Sequence, residues 1–168
     1  MLRFVRSLLL ILNIGNWLAV GGFALMVAIL LLSLPIGMDR VIHAALPDQA
    51  DAMRRLMIAM FAIGIAMGIA VDQLFRRLIH MLDTVVAGRP FTVENGARLR
   101  VMAWSLLAIQ LLDTGFAFVL RGINHTARHA AFTWSPSVTG WITVLLLLVL
   151  AQVFSGGATM QEELEGTV

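Results

Sequence analysis

Apolar residues run almost unbroken through four stretches of the chain, at about residues 17–36, 56–75, 101–120 and 138–154. Most approach the roughly 20 residues that an α-helix needs to cross a hydrocarbon core about 30 Å thick. The fourth is shorter, and Trp134 and Trp141 lengthen it as interfacial anchors. Helices are the only spanning form open to such runs. Unpaired backbone groups are costly in lipid, and the chain lacks the strand-and-turn alternation of a barrel. The pattern predicts an all-α fold, an integral membrane bundle of four transmembrane helices forming a single domain over residues 1–168.

The second helix does not stop at the membrane surface. Val71, Leu74, Phe75, Leu78, Leu82, Val85 and Val86 recur at three- and four-residue steps, while Arg76, Arg77, His80 and Asp83 stand off that stripe. A helix from Met53 to Ala87 would be about 52 Å long, about 20 Å more than the hydrocarbon thickness. It is therefore expected to extend into the cytoplasm, unless it bends at the interface. Gly88 is a natural C-cap and Pro90 blocks continuation. Thr92 can then accept an N–H of a new helix, whose positive end suits Glu94. Residues 76–100 thus read as a capped cytoplasmic connector of helix, turn and helix start. Its arginines either hold anionic headgroups or present a rigid surface to another protein.

Arg3 and Arg6 precede the first long apolar run, as in a signal peptide. The run outlasts a normal apolar region of about 7–15 residues, and no A-x-A site closes it. A retained first span is the expectation, preceded by a short interfacial turn holding Asn13 and Asn16. Orientation follows the arginines in the short loops. With both termini inside, Arg3, Arg6, Arg76, Arg77, Arg89, Arg98 and Arg100 are cytoplasmic. Arg40, Arg54, Arg55, Arg121 and Arg128 lie outside. The bias favours a multi-pass membrane protein with both termini cytoplasmic.

Composition agrees with a membrane protein: 60% of residues are hydrophobic and only 13% charged, too few charges for a soluble surface. The absence of Cys removes disulfides and thiolate chemistry. All basic residues are Arg, which removes a Schiff-base Lys and a P-loop Lys. The pI near 11.0 reflects a chain without Lys or Tyr, because the formal net charge is only +2. Direct nucleic-acid binding through bulk charge is not expected.

Polar residues within apolar spans need partners or a purpose. Asp72, Gln73, Gln110, Asp113 and Gln152 are in this class. Asp72 is spaced to pair with Arg76. Asp113 has no partner in its own helix, so hydrogen bonds to Gln110, Asn16 or Gln152 across helices are expected. A proton or ion pathway through Asp113 is the alternative, although no repeat or broken helix accompanies it. His125-x-x-x-His129 has metal-ligand spacing on a helix, and His43 lies in a loop on the same side. No Cys or nearby Glu completes a site, so these read as interfacial polar residues, with an outer-face metal or pH sensor as the alternative. Gly64 and Gly68, among Ala59, Ala62, Ala66 and Ala70, give the second span a smooth face for close packing within the chain or for a homo-oligomer.

The tail "QVFSGGATMQEELEGTV" leaves the fourth span through Gly156 and Gly157. Residues 155–168 then form an acidic cytoplasmic tail carrying Glu162, Glu163 and Glu165, which an anionic leaflet repels unless cations meet it. Arg76, Arg77, Arg89, Arg98 and Arg100 are the nearest cations in this topology. "AGRPFTVENGARLR", followed by "MAW", together with that ending, resembles the bacterial family known as domain of unknown function twenty-nine seventy-five. Gly88, Pro90, Phe91, Glu94, Asn95, Arg98, Leu99 and Arg100 carry the likeness in the loop. Val153, Phe154, Gly157, Glu163, Thr167 and Val168 carry it at the end. Ser155 and Gly156 depart from it, standing where relatives often carry charged residues. The resemblance implies a small four-span inner-membrane protein, brings no enzyme activity or cofactor, and suggests a small helix-turn-helix regulator as cytoplasmic partner.

The expected function is a non-enzymatic membrane adaptor that docks or restrains such a regulator. Arg89, Pro90, Phe91, Glu94, Asn95, Arg98 and Arg100, with Glu162, Glu163 and Glu165, are the expected docking residues. No catalytic, cofactor-binding or metal residue is expected. A transporter would instead be most sensitive to Asp113→Asn, and an outer metal sensor would retain zinc through His43, His125 and His129.

Overall fold

The structure is a computed structural model that describes residues 2–32, 38–86, 92–126, 133–135 and 137–165. Gly88, Arg89, Pro90 and Phe91 of the connector, His129, Thr167 and Val168 lie outside the described residues. The fold is an all-α, membrane-spanning bundle of four long helices: α1 (Leu2–Leu31), α3 (Ala50–Val86), α4 (Val93–Thr126) and α5 (Val138–Glu165). A short helix, α2 (Met38–Ala45), and a 3-10 turn (Pro47–Gln49) join α1 to α3. All four prolines fall in sequence between the α-helices, which suits a residue that removes a helical hydrogen bond and crowds the preceding turn.

The long second spanning helix is present as expected. At 37 residues, α3 extends about 55 Å, well beyond a hydrocarbon core of about 30 Å. α4, with 34 residues, is nearly as long. Two expectations need correction. Asn13 and Asn16 lie inside α1, which starts at Leu2, so no interfacial turn precedes the first span. α5 continues helical through Gly156 and Gly157 to Glu165, so the chain does not leave the fourth helix at those glycines.

The chain forms two compact units. The first comprises Met1–Asn16, Ala70–Gln110 and Ser137–Val168. Its core is Leu99, Met102 and Ala151, covered by Leu78, Met81, Leu147 and Phe154. Val144, Ala151 and Ala158 are buried at seven-residue steps along α5, while Leu145, Leu146, Val149 and Leu150 are exposed. One narrow stripe of that helix faces its neighbours, and the leucine-rich remainder is left for lipid. The second unit comprises Trp17–Ile69 and Leu111–Pro136. Its core joins Ile42 of α2 to Ala50 and Met53 of α3 and Ile123 of α4. Gly122 brings α4 close to α3, because a Cβ there would lie 3.0 Å from Leu56 Cδ2.

Candidate functional site

The polar stretch 92–100 lies at the start of α4, within the first unit. Thr92 caps that helix as expected. Its Oγ1 accepts the Asn95 N–H at 3.2 Å, and its carbonyl oxygen accepts the N–H groups of Asn95 and Gly96 at 3.0 and 3.2 Å. Glu94 sits in the first turn, where the positive end of the helix favours a carboxylate.

Asn95 is the centre of the site, with 0% of its surface exposed. Its Nδ2 donates to Thr84 Oγ1, near the end of α3, at 2.8 Å. The Thr84 hydroxyl in turn donates to the Met81 carbonyl at 2.7 Å. Asn95 Oδ1 accepts from Arg98 Nη1 at 2.9 Å, while Arg98 Nη2 pairs with Glu94 Oε2 at 3.0 Å. One carboxamide thus ties the end of α3 to the start of α4 and orients a guanidinium. Each such bond contributes about 1 kcal/mol net, and leaving a buried partner unpaired costs about 1–3 kcal/mol.

Gly96 and Leu99 continue the same packing. A Cβ at Gly96 would overlap Ser155 Oγ and stand 3.2 Å from the Ser155 nitrogen and 3.4 Å from the Ala151 oxygen. α4 and α5 therefore approach almost backbone to backbone here. Leu99 joins Met102 and Ala151 in the core. Reading this stretch as surface missed the inward roles of Asn95, Gly96 and Leu99. The available signal was their three- and four-residue spacing from the Thr92 cap into the apolar face of α4.

Outside this knot, the same helix ends leave apolar groups uncovered. Val85, Val86 and Val93 are 38%, 64% and 54% exposed. Glu94 and Arg100 are exposed as well. Arg98, half-buried, is engaged by Glu94 and Asn95. The backbone of Glu162, Glu163 and Glu165 belongs to the last turns of α5, but their side chains, and so their expected pairing with Arg98 and Arg100, lie outside the described residues.

The intramembrane polar residues divide into met and corrected expectations. Asp72 is buried and pairs with Arg76 four residues on, as its spacing predicts. It also accepts Asn13 Nδ2 at 3.0 Å. Gln110 is buried, with its amide against α5 where a Cβ at Gly140 would overlap it. Gln152 is exposed on α5.

Asp113 has a different partner from those expected. Its Oδ1 accepts the indole N–H of Trp134 at 2.8 Å, a donor outside the expected set of Gln110, Asn16 and Gln152. The Trp134 ring also meets Phe116 edge-on, with centroids 5.6 Å apart. Trp134 is thus folded against α4 as well as being a candidate interfacial anchor.

The smooth face of α3 is used within the chain. A Cβ at Gly64 would lie 2.7 Å from the Phe23 ring of α1, and Phe23 packs tilted on Phe61 at 5.9 Å. His43 is exposed on α2, not in a loop, and His125 is exposed in the last turn of α4. Among the described residues, no group of three His, Cys, Asp or Glu side chains is placed to hold a metal ion.

Residues 40–168 match the family model described as Protein of unknown function (DUF2975). The chain belongs to this family. The DUF2975 match begins within α2 and takes in α3, α4 and α5, so it includes both the Asn95 knot and the Asp113–Trp134 pair. Comparisons with curated proteins and with solved structures give no match.

Proposed function

We propose that this DUF2975 protein is a non-enzymatic inner-membrane adaptor that docks a cytoplasmic partner at the ends of α3 and α4. The observation that carries this reading is the uncovered apolar group Val85, Val86 and Val93. These residues lie past the apolar runs of both helices. Residues 76–86 alone carry α3 about 16 Å further. Apolar surface there gains nothing from lipid tails, and an exposed patch rimmed by polar groups is the usual mark of a protein interaction site. Glu94 and Arg100 are exposed polar groups on the same helix end. The Thr92 cap and the Asn95 bonds hold the patch in a fixed shape, which lowers the ordering cost of binding.

Placement of this end in the cytoplasm rests on the arginine count of the loops, with both termini on the same side. A small helix-turn-helix regulator is the partner class that family resemblance suggests. The transporter reading has less support, since the Asp113 carboxylate is held by the Trp134 indole. The metal or pH sensor would draw on His43 and His125, both exposed, and on His129, which lies outside the described residues.

Affinity capture from native membranes tests the proposal. Combining Val86→Asp with Val93→Asp should cut recovery of a DNA-binding partner by about tenfold, as expected for loss of roughly 1.4 kcal/mol. Val41→Ser, at an exposed position on α2, should leave recovery unchanged. Normal accumulation of the double variant with undiminished partner capture would sink the adaptor reading.

A further inference from the structure

A cleft of about 210 Å³ opens in the second unit between α4 and residues 133–134, lined by Ala117, Leu120, Arg121, Thr133 and Trp134. It is smaller than the roughly 300–1,000 Å³ of sites that enclose a whole small molecule. It suits a polar fragment whose remainder lies outside. Its lining is amphipathic: a guanidinium and a hydroxyl together with an indole and aliphatic carbons.

Arg121 is the informative residue. It immediately follows the apolar run 101–120, the level at which a spanning helix reaches the headgroups. Its guanidinium lies 5.6 Å from the Phe118 ring centroid, and no carboxylate pairs with it among the described residues. The nearby acid, Asp113, uses Oδ1 to accept the Trp134 N–H. That bond fixes the indole as a wall of the cleft. Below Arg121, Phe118 and Leu111 are exposed one heptad apart on a single face of α4.

We propose that this cleft seats the headgroup of one anionic phospholipid. Its phosphodiester meets Arg121 and the Thr133 hydroxyl, its glycerol region lies on Trp134, and one acyl chain runs along Phe118 and Leu111. The uncompensated cation selects an anionic headgroup, and the apolar stripe selects a lipid over a free anion. Arginine suits the role because its planar donors fit phosphate oxygens in pairs.

Native mass spectrometry of the full chain in detergent tests this, with phosphatidylglycerol and phosphatidylcholine of matched acyl chains as probes. One phosphatidylglycerol should be retained in preference to phosphatidylcholine. Arg121→Gln should weaken that retention by about tenfold, and Arg77→Gln, at an exposed arginine of the other unit, by less than about twofold. Unchanged thermal unfolding of Arg121→Gln without added lipid would show that the fold is intact. Equal retention of the two lipids, equal binding by Arg121→Gln, or an equal loss in Arg77→Gln each overturns the proposal. Displacement of the lipid by equimolar glycerol 3-phosphate would overturn it too, by showing a site for free anions.

Discussion

At the scale of single residues, Asn95 matters more than any of the charges around it. It has no charge and no exposure, yet it joins Thr84 on α3 to Arg98 on α4. Asn95→Ala should lower stability by about 1–3 kcal/mol, because Thr84 and Arg98 lose a buried partner together. Thermal unfolding in detergent would show this, and a Thr84/Asn95 double-mutant cycle should give a coupling of about 0.5–3 kcal/mol. A cycle that closes with no coupling would mean the carboxamide is replaceable by water. The sequence made local pairs legible at this scale. Asp72 and Arg76 are four residues apart on one helix, and Thr92 stands where a cap must stand. Longer pairings were hidden. Nothing in the neighbourhood of Asp113 points to an indole 21 residues away, and the helical spacing that turns Asn95 inward does not point to Thr84 as its partner.

At the scale of elements, glycines decide how α4 and α5 lie together. Gly96 faces the Ser155 backbone at van der Waals limits, so moving only the Ser155 hydroxyl would not make room for a methyl group. Gly96→Ala should therefore cost about 1–3 kcal/mol through overpacking. Gly156, also helical, has nothing within 4 Å of an added Cβ. Gly156→Ala should stabilise by up to about 1 kcal/mol, from helix propensity alone. Denaturant titration in mixed micelles separates the two, and a shift of the same sign for both would refute this account of the interface. These glycines also explain where hydropathy misread the elements. The Gly156–Gly157 pair looks like an exit from a helix. Its propensity cost is about 1 kcal/mol per glycine, and packing of Ser155 and the buried Ala158 outweighs it. Asn13 likewise looks out of place in a span, but Asp72 accepts its amide and α1 begins fifteen residues earlier than its apolar run suggested. The four spans themselves were legible, since only lipid tolerates such long apolar runs.

For the whole molecule, the packed part of α5 extends past its apolar run to Ser155 and Ala158. Ser155 and Ala158 sit against the rest of the first unit, so a deletion starting at Ser155 removes bundle contacts along with the acidic residues. Deletion of residues 161–168 should leave membrane insertion and unfolding temperature nearly unchanged, whereas deletion of 155–168 should lower that temperature by several degrees. Fluorescence-detected size exclusion after heating distinguishes them; equal behaviour would place the packing boundary elsewhere. The Asp113–Trp134 bond has a further consequence, one of timing. α4 is the least apolar of the four spanning helices, and an acid near a helix centre costs about 2.5–3.5 kcal/mol on insertion. The donor that meets it lies 21 residues downstream, which synthesis at about 5–20 residues per second delivers about 1–4 seconds later. During biogenesis, α4 therefore enters the bilayer on credit, and the nascent chain is exposed to membrane quality control until its tryptophan arrives.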